Sequence, residues 1–210
     1  MSAITKATVG FDSRLCELGF IRASNYRWVK DFDTDIKFLF AINPLKGVTY
    51  APSWGFNVNF IPKLCNLGRL KWGRTAKTAK YDLCIDPIDE TGTVPADISY
   101  VYLSGVQEVT DELVKQKGQL AIDRALSDYQ KVNGLDDLYR LFKEREGLTY
   151  RRFSFYMYIQ HNIANPYLMF ASGQHEDAEE ALAKVIQEYG IDPNDKILKE
   201  SLEIARNYFD

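Results

Sequence analysis

The chain has 210 residues, 46% of them apolar and 26% charged, with a formal net charge of −3. That length makes one large domain or two small ones, able to bury about 70% of its unfolded surface without staples. The charge balance excludes bulk attraction to polyanions or membranes, and three widely spaced cysteines, Cys16, Cys65 and Cys84, exclude a disulfide framework or a C-x-x-C zinc site. The opening residues MSAITKATVGFDSR lack the apolar run of a signal peptide, and no apolar run approaches the roughly 18 residues of a membrane span. The expectation is a reduced, soluble, cytoplasmic protein with no membrane contact.

Thr8 to Leu18 reads as a short helix, with Val9, Leu15 and Leu18 on one side and Gly19 past its end. Strand signals follow in Phe20 to Phe32 and Asp35 to Asn43, with Asp31-Phe32-Asp33-Thr34 as a polar turn between them. Asn43-Pro44-Leu45-Lys46-Gly47 is a breaker. In the next stretch, SWGFNVNFI, Trp54, Phe56, Val58 and Phe60 alternate with Gly55, Asn57 and Asn59. A period of two predicts one buried face and one wet face. Tyr81 to Ile85 and Ile98 to Leu103 complete about five strands, and their short connections favour antiparallel neighbours.

From Thr110 the period becomes helical. Leu113, Val114, Leu120, Ala121 and Leu126 form one stripe up to Asn133-Gly134, and Leu138, Leu141 and Phe142 mark a helix over 135–146. Phe153 to Gln160 alternates like a strand between helices and is read as a buried helix. Asn165-Pro166 restarts a helix closed by Gly173. Asp192-Pro193-Asn194-Asp195 predicts a last helix capped by Asp192, with Ile197, Leu198, Leu202 and Ala205 as its buried stripe. The fold class is α+β: an antiparallel sheet of about five strands packed against a helical C-terminal half. Residues 1–105 form the mainly β part with its N-terminal helix, and 106–210 the helical part, packed on the sheet as one unit.

Leu18-Gly19-Phe20, Trp28, Phe38 to Ile42 and Asn57-Val58-Asn59-Phe60 occur in an order that resembles the bacterial domain-of-unknown-function 4304 family. The resemblance covers about the first 60 residues and implies an α+β domain without an established activity, hence no catalytic residues. Gly173-Gln174-His175-Glu176-Asp177-Ala178 with Leu182 resembles the turn of one tetratricopeptide repeat. Repeat architectures need about three copies, so a plain antiparallel helix pair is the better reading.

The motifs for nucleotide, zinc-protease and serine-hydrolase chemistry are absent. Asp31, Asp33 and Asp35 resemble the start of a calcium loop, but Ile36 and Ile42 stand where Gly and Glu are needed, which favours a solvated hairpin turn. His175 reads as a solvated residue at a helix start, and His161 as a core histidine bonded to a carbonyl. Charge is segregated. From Ile36 to Tyr81 there are eight basic residues and no acids: Lys37, Lys46, Lys63, Arg69, Lys71, Arg74, Lys77 and Lys80. From Asp82 to Val114 there are eight acids and no basic residues. Either the blocks face each other across strands, the favoured reading, or they form separate surfaces that attract partners.

These observations favour a non-enzymatic module that binds another macromolecule, of immunity or adaptor type, with no cofactor or metal. The candidate binding residues are Arg69, Lys71, Trp72, Arg74, Lys77 and Lys80. Two alternatives stand beside it: nucleic-acid binding through the basic loop 63–80 with Trp72 as a stacking platform, and an enzyme using His161 in a cleft between sheet and helices.

Overall fold

The computed structural model describes residues 3–31, 35–44, 49–85, 98, 100–101, 111–146, 149–150, 153–155 and 158–208. Helix α1 (Ala3–Glu17) leads into an antiparallel sheet of β1 (Ile21–Ser24), β2 (Arg27–Asp31), β3 (Ile36–Pro44), β4 (Thr49–Val58) and β7 (Leu83–Ile85), paired in that order. A small hairpin of β5 (Lys63–Leu64) and β6 (Leu70–Lys71) lies in the chain between β4 and β7, and β8 (Tyr100–Val101) pairs with the start of β4. The second half holds α2 (Asp111–Tyr129), α3 (Leu135–Glu146), a hairpin of β9 (Thr149–Tyr150) and β10 (Phe153–Ser154), then α4 (Ile159–Ala171), α5 (His175–Tyr189) and α6 (Lys196–Arg206). Among the described residues no helix is long and apolar enough to cross a membrane.

The alternation in β3 and β4 carries the sheet. Phe38, Phe40, Trp54, Phe56 and Val58 share one face with Trp28 of β2, and all are buried. Each such side chain is worth about 1.5–3 kcal/mol when buried. The helices roof this face. The Tyr129 ring of α2 stacks on Phe38 at 4.3 Å and meets Phe56 edge-on at 5.6 Å, while Phe11 of α1 lies 5.8 Å from Phe40. The polar tips find partners as they are buried. Trp54 Nε1 donates to Asp128 at 2.8 Å, Trp28 Nε1 to Asp12 at 2.7 Å, and the Tyr129 hydroxyl to the Leu39 carbonyl at 2.6 Å. Burial holds the Tyr129 phenol well above its usual value, so it stays a donor. One core cluster runs from Phe11 through the sheet to Ala205.

The other face of β4 is not wet, against the expectation from period two. Ser53, Gly55 and Asn57 are buried along with their aromatic neighbours. The segment 72–81 folds back over them, and a second small cluster of Val29, Leu39 and Ala79 forms beneath it. Gly55 has no room for a side chain: a Cβ there would lie 2.0 Å from the Leu83 carbonyl oxygen.

Several sequence expectations shift. The run Phe20 to Phe32 is two strands, because Asn25 and Tyr26 form a turn that closes a hairpin. Helix α1 begins five residues before Thr8, at Ala3. Leu120 is 45% exposed and does not join the stripe of α2. Phe153 and Ser154 are strand, and helix begins only at Ile159. Pro166 lies inside α4 rather than at a restart. The cap of α6 is Asp195, whose carboxylate accepts from Ile197 N at 2.7 Å and Leu198 N at 3.2 Å; Asp192 instead shapes the preceding turn by accepting from Asn194 N.

Candidate functional site

The basic segment runs out from β4, through the β5–β6 hairpin, and back to β7. Its return stroke is organised by its own threonines. Thr78 N and Ala79 N both donate to the Thr75 carbonyl, and Thr78 Oγ1 accepts from Thr75 N. The turn so formed is fastened to the sheet through its backbone. The Arg27 guanidinium of β2 donates to the carbonyls of Ala79 and Lys77, both at 2.8 Å, and the Asn57 amide donates to the Lys80 carbonyl at 3.0 Å. Ala79 is fully buried as a result.

With these carbonyls turned inward, the cationic side chains of the segment point out. Arg69, Lys71, Arg74, Lys77 and Lys80 are all exposed. Arg69 and Lys71 stand on the hairpin, and the other three on the return stroke. Trp72 and Arg74 meet directly: the guanidinium carbon lies 3.6 Å from the indole centroid, and Nε donates to the Asn59 carbonyl at 3.2 Å. Trp72 is half-buried rather than the exposed stacking platform of the nucleic-acid reading. A hollow of about 280 Å³ beside Arg74 is lined by Asp35, Asn59, Phe60 and Ile204.

Lys46 lies outside the described residues; among those described, two members of the basic block leave the surface. Lys37 is buried and donates to Asn59 Oδ1. Lys63 is fully buried and pairs with Asp82, also fully buried. Among the described residues of the acidic block, Asp82 meets a cation. Asp86, Asp89, Glu90, Asp97 and Glu108 lie outside the described residues, as do the side chain of Asp111 and the turn of the D-x-D-x-D stretch at Asp33; Glu112 is exposed. Lys63, between Ile61-Pro62 and Leu64-Cys65, and Asp82, ahead of Leu83-Cys84-Ile85, each stand among apolar neighbours, but as charged residues of two segregated blocks they read as surface.

His161, on the first turn of α4, is a clip. Its Nε2 accepts from Cys84 N at 2.9 Å, so Nδ1 carries the proton and donates to the Phe155 carbonyl at 2.9 Å. Burial pulls its pKa down to about 4. Both ring nitrogens are engaged in joining β7 to α4, and a neutral, saturated imidazole is not poised to move protons. His175 is exposed at the start of α5. A shallow groove of about 450 Å³ lies between α4 and α5, lined by Asn162, Asn165, Asp177, Glu180, Lys184 and Glu188 among others. Among the described residues no group of three or more His, Cys, Asp or Glu is placed to hold a metal ion.

Comparison with protein families, curated proteins and solved structures finds no match to this chain.

Proposed function

We propose that the chain is a non-enzymatic binding module, of immunity or adaptor type, that docks an acidic partner protein on residues 69–80. The observation that carries this reading is the clamp on the segment. Arg27 and Asn57 take the carbonyls of Lys77, Ala79 and Lys80, and five cationic side chains are left exposed on an anchored backbone. An anchored backbone lowers the ordering cost of binding. Cations of one sign speed encounter with an acidic surface and select against a basic one. The resemblance to the 4304 family belongs to the same proposal and brings no catalytic groups.

Nucleic acid is the second reading, and the Trp72 geometry weighs against it. A stacking platform needs a free ring face. Here the guanidinium of Arg74 already covers one face of the indole and the ring is half-buried, which leaves little of it for a base. The enzyme reading loses its base in His161, which is held at both nitrogens.

Two probes separate these readings: fluorescein-labelled poly-glutamate and a labelled single-stranded oligonucleotide, each titrated at two salt concentrations against wild type and the double variant Lys71→Glu/Arg74→Glu. Binding of poly-glutamate that the double variant loses supports the proposal. Tighter, steeply salt-dependent binding of the oligonucleotide transfers the site to nucleic acid. Binding of neither probe, or binding untouched by charge reversal, ends the docking reading.

A further inference from the structure

Lys63 and Asp82 are the two ends of the proposed docking segment. Every candidate binding residue, from Arg69 to Lys80, lies between them in the chain. Their side chains meet in the interior at zero exposure. The Asp82 carboxylate gathers donors from three other elements. Oδ1 accepts from Lys63 of β5 and, at 2.8 Å, from Gln160 Nε2 of α4. Oδ2 accepts from Val58 N at 2.7 Å and Asn57 Nδ2 at 3.0 Å, both of β4. The Gln160 amide also donates to the Pro62 carbonyl at 2.9 Å, which fixes the backbone just before Lys63. The segment itself packs on the lysine stem: a Cβ on Gly73 would lie 2.7 Å from Lys63 Cε.

Burial works against both charges, pushing the Lys63 ammonium below and the Asp82 carboxyl above their usual values. Each partner's charge and hydrogen bond opposes that push on the other. Removing one partner leaves a desolvated charge with no counter-charge. Water then has one low-cost route to it. The surrounding sheet and helices are sealed by aromatic packing, to which the segment 64–81 adds only Leu64 and Leu70; the rest of it is held by a small cluster at Ala79 and by hydrogen bonds to its backbone.

We propose that the Lys63–Asp82 pair is the buckle of this segment: both are positioning residues, and residues 64–81 lift from the sheet as one unit when the pair is parted. The opening would carry all six candidate binding residues with it. The inference deepens the docking reading by naming what sets the docking surface in place, and it rests on that reading only for its functional meaning.

Hydrogen exchange on the whole chain tests it without any partner, so its outcome is independent of whether poly-glutamate binds. In wild type under sub-denaturing urea, the amides of 64–81 should converge on one opening isotherm, well below that of the buried amides of α5 and α6. In Lys63→Met or Asp82→Asn, exchange across 64–81 should rise about tenfold or more as a block, with 175–206 unchanged. The double variant Lys63→Met/Asp82→Asn, which removes both charges and keeps an acceptor oxygen for Val58 N, should return protection towards wild type. Independent rather than common opening in wild type overturns the proposal. So does loosening that spreads equally over 175–206, or a double variant as loose as Lys63→Met.

Discussion

The two faces of the sheet are closed by different physics. On one, Trp28, Phe38, Phe40, Trp54 and Phe56 meet the rings of Phe11 and Tyr129, and closure is a matter of apolar area. On the other, Ser53, Gly55 and Asn57 are covered by a polar, cationic segment whose carbonyls are gripped by Arg27 and Asn57. The first closure is strong and insensitive to charge. The second is built from a few hydrogen bonds, each worth only about 0.5–3 kcal/mol net. A surface element held that way keeps its shape while remaining separable from the core, which is what a docking segment needs.

The contrast breaks first at the aromatic face. Phe56→Ala should cost about 3–5 kcal/mol in urea unfolding, because it empties a fully buried site under Tyr129; a cost near 1 kcal/mol would mean that face is loosely packed. Next comes the clip between β7 and α4. The folded pKa of His161 is depressed to about 4, so its contribution is whole above the unfolded value near 6.5 and drains away as pH falls towards 4. Between pH 7 and 5 it should account for about 2 kcal/mol of lost stability, and His161→Gln should flatten the urea-midpoint profile by that amount. On the segment side, Arg27→Met should cost about 1–2 kcal/mol and speed tryptic cleavage after Lys77 and Lys80 several-fold while the helical half stays resistant. Lys77→Gln should be the smallest effect, within about 0.5 kcal/mol, because the sheet grips that residue by its carbonyl and its side chain is exposed.

How much of this was legible in the sequence follows from the same contrast. The aromatic face was plain, because large apolar residues at period two have one ordinary explanation; β3 and α3 lie where the pattern puts them, while β4 begins earlier, at Thr49, and ends at Val58, short of Phe60. The opposite face was misread. Ser53, Gly55 and Asn57 look alike whether water or another stretch of main chain covers them, since both coverings favour small and polar residues. The turn at Asn25-Tyr26 lacks the Gly or Pro that would announce it. Of the candidate site, the cations were visible as a block and Trp72 as a ring among them, but not the stack of Arg74 on that ring. Nor was the burial of Lys63 and Asp82, because it depends on which strands become neighbours. His161 was recognisable as a core histidine bonded to a carbonyl, whereas its bond to Cys84 N joins residues 77 positions apart.

Gly55 shows what this architecture asks of any descendant sequence. Its neighbours Trp54 and Phe56 can trade one bulky ring for another and keep the core filled. At Gly55 even alanine would wedge β4 away from the Leu83 carbonyl, parting the seam where the strand after Asp82 joins the sheet. Evolutionary drift can therefore remodel exposed cations such as Lys77 without disturbing the fold, while the smallest side chain in the strand is one it has no liberty to enlarge.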